Sequence, residues 1–133
     1  MLQSEGVEKL IAAARGARER AVASYSNFPV GAAVMCADGR VFEGCNIENA
    51  SYGLTICAER VAMFCAVAAG CRQIDAIAIA GPGEEPLSPC GACRQVMVEL
   101  APDAEVIMAG ERTHRTRSVA DLMPDAFGSR DVT

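Results

Sequence analysis

The chain is predicted to fold as an α/β layered structure built around one mixed sheet. Three observations carry that expectation. The apolar periodicity runs helix, two strands, helix, strand, helix, strand, an order that packs as helices over a sheet. Asp38-Gly39 stands between two short apolar runs, a strong local signal for a hairpin. Residues 73–80 hold a continuous apolar run with Ile74, Ala76, Ile77, Ala78 and Ile79, the pattern of a strand covered on both faces.

Size and charge narrow the classes that fit. The 133 residues suffice for one domain, 1–133, with a polar tail from about residue 128 that reads as loose. Hydrophobic residues make up 51% of the chain, and aromatics only 5% with no Trp, so the core must be built from Ala, Val, Ile, Leu and Met. A net charge of -5 repels polyanions, which disfavours nucleic-acid strands and favours a small-molecule substrate. Residues 1–9 lack the apolar stretch of a secretory signal, and no apolar run approaches the ~18 residues of a membrane helix. With seven cysteines, an odd number, a cytoplasmic, reducing setting is expected, away from any membrane, with thiols free or on metal.

Taken in order, residues 2–23 read as an amphipathic helix. Val7, Leu10, Ile11, Ala14, Ala17, Ala21 and Val22 form its apolar stripe, and Ser4 is its expected N-cap. Residues 30–37 and 40–46 are the two hairpin strands, and residues 47–53 read as a polar loop. A largely buried helix begins near Thr55 or Ile56 and ends at Ala69, stopped by Gly70. After the strand at 73–80, Gly81-Pro82-Gly83 turns the chain, and a helix over 90–100 ends before Pro102-Asp103. Short strands follow at 105–109 and 113–118, then a helical turn at 119–123.

Two of these helix starts carry chemistry. Cys57-Ala58-Glu59 opens one, and Pro89-Cys90-Gly91-Ala92-Cys93 opens the other. Cys90 and Cys93, at i and i+3, share a face and can hold one ion. A helix N-terminus favours thiolates over thiols. Three thiolates on zinc leave a fourth position for water or substrate. Glu59 is a poor ligand there and a good proton carrier. Arg60, three residues after Cys57, should lie on the thiolate side and offset the site's net negative charge. The combined pattern is that of the zinc deaminases. In that chemistry zinc lowers the pKa of a bound water to about 7, and Glu59 serves as base and then as acid. Cys36, Cys45, Cys65 and Cys71 read as buried, inert core thiols, and His114 as an exposed polar residue beside Arg112, Arg115 and Arg117.

The resemblance extends well past the zinc motif. Tyr25-Ser26-Asn27-Phe28-Pro29-Val30-Gly31-Ala32-Ala33, Gly44-Cys45-Asn46-Ile47-Glu48-Asn49-Ala50, Cys57-Ala58-Glu59-Arg60, Ser88-Pro89-Cys90-Gly91-Ala92-Cys93-Arg94-Gln95-Val96 and Leu122-Met123-Pro124-Asp125-Ala126-Phe127 closely resemble motifs of the small homotetrameric cytidine deaminases. That resemblance implies a single-domain α/β/α fold with a mixed five-stranded sheet flanked by helices. It implies one Zn²⁺ per subunit on Cys57, Cys90 and Cys93, with Glu59 as proton shuttle. It implies Asn46 and Glu48 on the ribose hydroxyls and Phe28 lining the base pocket, with Ala58 also at the substrate. Phe127 resembles an aromatic that reaches a neighbouring subunit's site, and Ala50 and Tyr52 are expected near an adjoining site.

The expected activity is hydrolytic deamination of cytidine and 2'-deoxycytidine to uridine and 2'-deoxyuridine, with release of ammonia, in pyrimidine salvage. Three rival readings fit less well. An aminonucleoside-antibiotic deaminase of the blasticidin type shares the zinc motifs, but Asn46, Glu48 and Phe28 favour the nucleoside. A strand-acting deaminase is disfavoured by the acidic charge. A structural zinc or dithiol redox protein leaves Cys57-Ala58-Glu59 without a purpose.

Overall fold

A computed structural model of the protein describes residues 2–132. Helix α1 (Ser4–Arg18) leads into strands β1 (Gly31–Cys36) and β2 (Val41–Cys45), then helix α2 (Ala58–Ala68) and strand β3 (Ile74–Ala80). Helix α3 (Gly91–Leu100), strands β4 (Glu105–Ala109) and β5 (His114–Ser118) and the short helix α4 (Val119–Leu122) complete the order. The five strands form one sheet in the order β2-β1-β3-β4-β5. Only β3 and β4 run parallel, with α3 as their crossover, and every other pairing is antiparallel.

Period-2 alternation divides the core into two layers. Ala32 and Val34 of β1, Ile77 and Ile79 of β3, and Val106 and Met108 of β4 face α2 and α3. Ala33, Ala76, Ala78, Ala80, Ile107 and Ala109 face the opposite way, onto Val7, Leu10, Ile11 and Ala14 of α1. The run at 73–80 is therefore covered on both sides, as its composition requires. The layer beneath α1 is lined with alanine, so this helix lies close to the sheet.

Close approach on the other face is set by a missing side chain. A Cβ on Gly44 in β2 would lie 2.4 Å from the Ala62 nitrogen and 2.6 Å from the Ala58 oxygen, both backbone atoms of α2. Gly44 thus lets α2 rest directly on β2. At the hairpin, Gly39 takes φ +90, and Gly70 takes φ +97 just past α2, conformations that glycine adopts without steric cost.

Several expectations are corrected. The first helix ends at Arg18 rather than near residue 23. Val22 instead pairs with Ile47, its N–H donating to the Asn46 carbonyl at 2.9 Å and its carbonyl accepting from Glu48 N–H at 2.9 Å. Gln3, not Ser4, caps the helix, without a side-chain bond. The segment after β2 is more ordered than a polar loop: Ile47 also pairs with Ile56 through two 3.0 Å bonds, and Tyr52–Leu54 forms a 3₁₀ turn. The second helix is shorter than expected and keeps an exposed side that carries Phe64, Cys65 and Ala68. The four cysteines expected as buried core thiols divide. Cys36 and Cys71 are buried and joined as a disulfide, Cys45 is half-buried, and Cys65 is exposed. Cys36 closes β1 and Cys71 follows Gly70, a pairing across 35 residues that spacing does not reveal.

Candidate functional site

The site is assembled by the ends of the hairpin and the starts of two helices. Because Ile56 is pinned to Ile47, the chain enters α2 beside the end of β2, and Cys57 becomes the N-cap of α2. Cys90 is the N-cap of α3, and its sulfur accepts from the Cys93 N–H at 3.5 Å. The approach to α3 is fixed by Arg94, which donates to the Pro89 carbonyl at 2.9 Å and to the Leu122 carbonyl at 2.8 Å. The Sγ atoms of Cys57, Cys90 and Cys93 lie within 4.8 Å of one another. Both helix dipoles point their positive ends at this cluster.

The charges around the sulfurs define what the cluster holds. Arg60 Nη2 donates to Cys57 Sγ at 3.3 Å. Its Nε is buried without an acceptor among the described residues. Cys57 Sγ lies 3.8 Å from Cys90 Sγ, and without a metal ion its contact with the Cys93 thiol, with Arg60 adding to it, brings Cys57 down to about 5. The same contact holds the Cys93 proton far above the usual thiol range. One guanidinium is too little positive charge for three thiolates. A divalent, thiophilic cation supplies the balance, and a set of three cysteine sulfurs fits zinc.

Glu59 is the second residue of α2 and is 5% exposed. Burial is the main cause that raises its carboxyl to about 7, and the negative charge at Cys57 adds to it. A carboxyl near neutrality beside a metal centre can both take and give a proton.

A second cluster lies at the open end of the hairpin. Asn46 is buried, and its Oδ1 accepts from the Val30 N–H at 2.8 Å. Its Nδ2 donates to the Phe28 carbonyl at 3.0 Å and to Glu48 Oε2 at 3.3 Å. Glu48 also accepts from the backbone N–H groups of Tyr25 and Ser26, each at 3.0 Å, and from the Ser26 hydroxyl. The Ser26 bonds are the main cause that lowers the Glu48 carboxyl below its ordinary 4.5. Phe28 is half-exposed at 44%. A cavity of about 340 Å³ is lined by Tyr25, Ser26, Glu48, Tyr52 and Thr55, and the Tyr25 and Tyr52 rings meet edge to face at 6.1 Å.

A family model described as the cytidine and deoxycytidylate deaminase zinc-binding region matches residues 4–109. The chain belongs to that family. It is 47% identical to the cytidine deaminase of Sporosarcina psychrophila over 131 residues, covering 96% of this chain and 95% of that one. It is 48% identical over 127 residues to the cytidine deaminase of Halalkalibacterium halodurans, covering 94% and 96%. The crystal structure of cytidine deaminase from Burkholderia pseudomallei superposes with a TM-score of 0.87 at 56% identity, over 90% of this chain and 98% of that chain. The five-stranded sheet with flanking helices is the architecture that these neighbours share.

Of the remaining expected residues, Ala58 adjoins the thiol cluster and the others lie on the surface. Ala58 is buried behind Cys57 in the first turn of α2. Tyr52 is 74% exposed on the 3₁₀ turn, and Ala50 is exposed just before it. Phe127 is 62% exposed, and its carbonyl accepts from Gln95 at 2.8 Å. Two residues of the site do not stand out in the sequence. Ser26 joins the Glu48 cluster from 22 positions away, and Arg94 braces the turn into α3. Ser26 stands two residues before Phe28, the spacing at which a serine hydroxyl often caps a turn. That was the available signal.

Proposed function

We propose that the chain acts as one catalytic domain that hydrolyses cytidine and 2'-deoxycytidine to uridine and 2'-deoxyuridine, releasing ammonia in pyrimidine salvage. The observation that carries this is a buried glutamate two residues from one sulfur of a cluster of three cysteines whose Sγ atoms lie within 4.8 Å of one another. Relatives of nearly equal length named as cytidine deaminases support the substrate.

Cys57, Cys90 and Cys93 would hold the zinc, which when bound supplies the Lewis acidity that makes a water nucleophilic at neutral pH. Arg60 offsets the surplus negative charge of the thiolates. Glu59 takes the water's proton and delivers it to ring nitrogen N3 as the oxygen adds to C4. A second proton then reaches the 4-amino group through the same carboxyl. The C4–N bond breaks, the C4 carbonyl forms and ammonia leaves, so the balance is water and cytidine to uridine and ammonia. Phe28 lines the base, and Asn46 and Glu48 take the sugar's hydroxyls.

The active form we propose is a homotetramer. Phe127, Tyr52 and Leu54, each more than 60% exposed, are large apolar groups without cover on a single chain, and such surfaces mark contacts. Phe127 would complete a neighbour's site, with Ala50 and Tyr52 near it. Thiolate ligands favour a reducing cytoplasm. The Cys36–Cys71 pairing is tested by a count of free thiols.

The test is ammonia release from cytidine by the purified protein beside Glu59→Gln, with zinc measured in both. Turnover by the wild type and a zinc-loaded, stalled variant support the reading. A zinc-loaded wild type that releases no ammonia overturns it.

A further inference from the structure

The turn before β1 holds a hydroxyl that touches both halves of the proposed nucleoside site. Ser26 Oγ donates to Glu48 Oε2 and accepts from the Phe28 N–H at 3.0 Å. Between them Asn27 takes φ 55, a left-handed conformation that asparagine tolerates better than most residues. The turn therefore folds back on the Ser26 side chain, and a single oxygen joins the Glu48 carboxylate to the Phe28 peptide.

The donors on Glu48 differ in freedom. An ionised carboxylate offers about four lone-pair sites. Here they meet four donors: the N–H groups of Tyr25 and Ser26, the Asn46 amide and the Ser26 hydroxyl. The two backbone donors are fixed by the turn. The Asn46 amide is fixed by its bonds to Val30 and Phe28. Only the Ser26 hydroxyl can turn about one bond to admit a sugar hydroxyl while its oxygen keeps the Phe28 N–H. The cavity lined by Ser26 and Glu48 opens at this point.

Resting on the cytidine reading above, we propose that Ser26 is a positioning residue that sets the sugar contact at Glu48 and the base-lining Phe28 in one register. Ser26 touches neither the sulfurs nor Glu59, so its effect falls on substrate binding and not on proton transfer.

Ser26→Ala and Ser26→Thr are compared with wild type on cytidine and on 2',3'-dideoxycytidine, which lacks both secondary hydroxyls. The hydrogen exchange of the Phe28 amide is measured without substrate. Ser26→Ala is expected to raise KM for cytidine about tenfold, to leave kcat within about twofold, and to raise KM for the dideoxy substrate less than about threefold. Its Phe28 amide should exchange about tenfold faster, and Ser26→Thr should restore both readouts. Unchanged exchange and KM in Ser26→Ala overturn the proposal. So does an equal penalty on the two substrates, or a loss confined to kcat. If the exchange behaves as expected while wild type leaves cytidine intact, the substrate reading fails and the placement of Phe28 by Ser26 stands.

Discussion

Replacing Glu59 by Gln in the metal-free protein should remove a pH-dependent load on the fold. The folded carboxyl sits at about 7 against an ordinary 4.5, chiefly because it is buried. The folded state therefore holds this proton more tightly than the unfolded chain does. The resulting stability is fully present below 4.5 and is lost as pH rises through 7. Between pH 5 and pH 8 the loss amounts to about 2 to 3 kcal/mol. Cys57 works in the opposite sense: lowered from 9.0 to about 5, its contribution is present above 9 and is lost as pH falls through 5. It titrates in both proteins, and because its charge is one of the causes that raise Glu59, the difference reads Glu59 together with that coupling. The assay is urea unfolding followed by circular dichroism at pH 5, 6, 7 and 8, after chelation and at fixed protein concentration. Glu59→Gln should gain about 2 to 3 kcal/mol on wild type across that range. A difference flat to within about 0.5 kcal/mol would refute the reasoning, because it would mean that the carboxylate is as well solvated in the fold as out of it.

Gly44→Ala places a methyl against the backbone of α2 and should cost about 3 kcal/mol in urea unfolding. A cost under about 0.5 kcal/mol would show that α2 can move off β2 freely. Phe127→Ala should lose most of its cytidine turnover while keeping its zinc, as activity and metal assays would read; normal turnover sinks the shared site. The denatured, metal-free chain without reductant should give five titratable thiols, since Cys36 and Cys71 are paired and five cysteines are free. Seven thiols would rule out that pairing.

The elements that sequence displayed most clearly are those whose local chemistry agrees with their surroundings. The apolar run of β3 and the Asp38-Gly39 turn lie where composition puts them. The three sulfurs converge because each stands at or near a helix start, a position that sequence marks well. Val22 shows where such reading stops. Its spacing continues the stripe of α1, but the bond from its N–H to Asn46 wins. The Ser26–Glu48 bond and the Cys36–Cys71 pair join residues 22 and 35 positions apart, and no local pattern encodes them. The raised carboxyl of Glu59 was equally hidden, since it depends on how deeply α2 settles on β2.

That settling also gives the molecule two poles. Cys57 lies at one end of α2. At the other end Arg40 donates to the Ala69 carbonyl at 3.0 Å, and the β1–β2 hairpin turns at Asp38 and Gly39. The 11 residues of α2 span about 16 Å, and nothing lies within 4 Å of where a Gly39 side chain would begin. The hairpin tip is thus a natural attachment point. A fluorophore, a lanthanide tag or a surface tether carried on a side chain beside it, with Gly39 itself kept, would report on or immobilise the protein from the pole opposite its sulfurs.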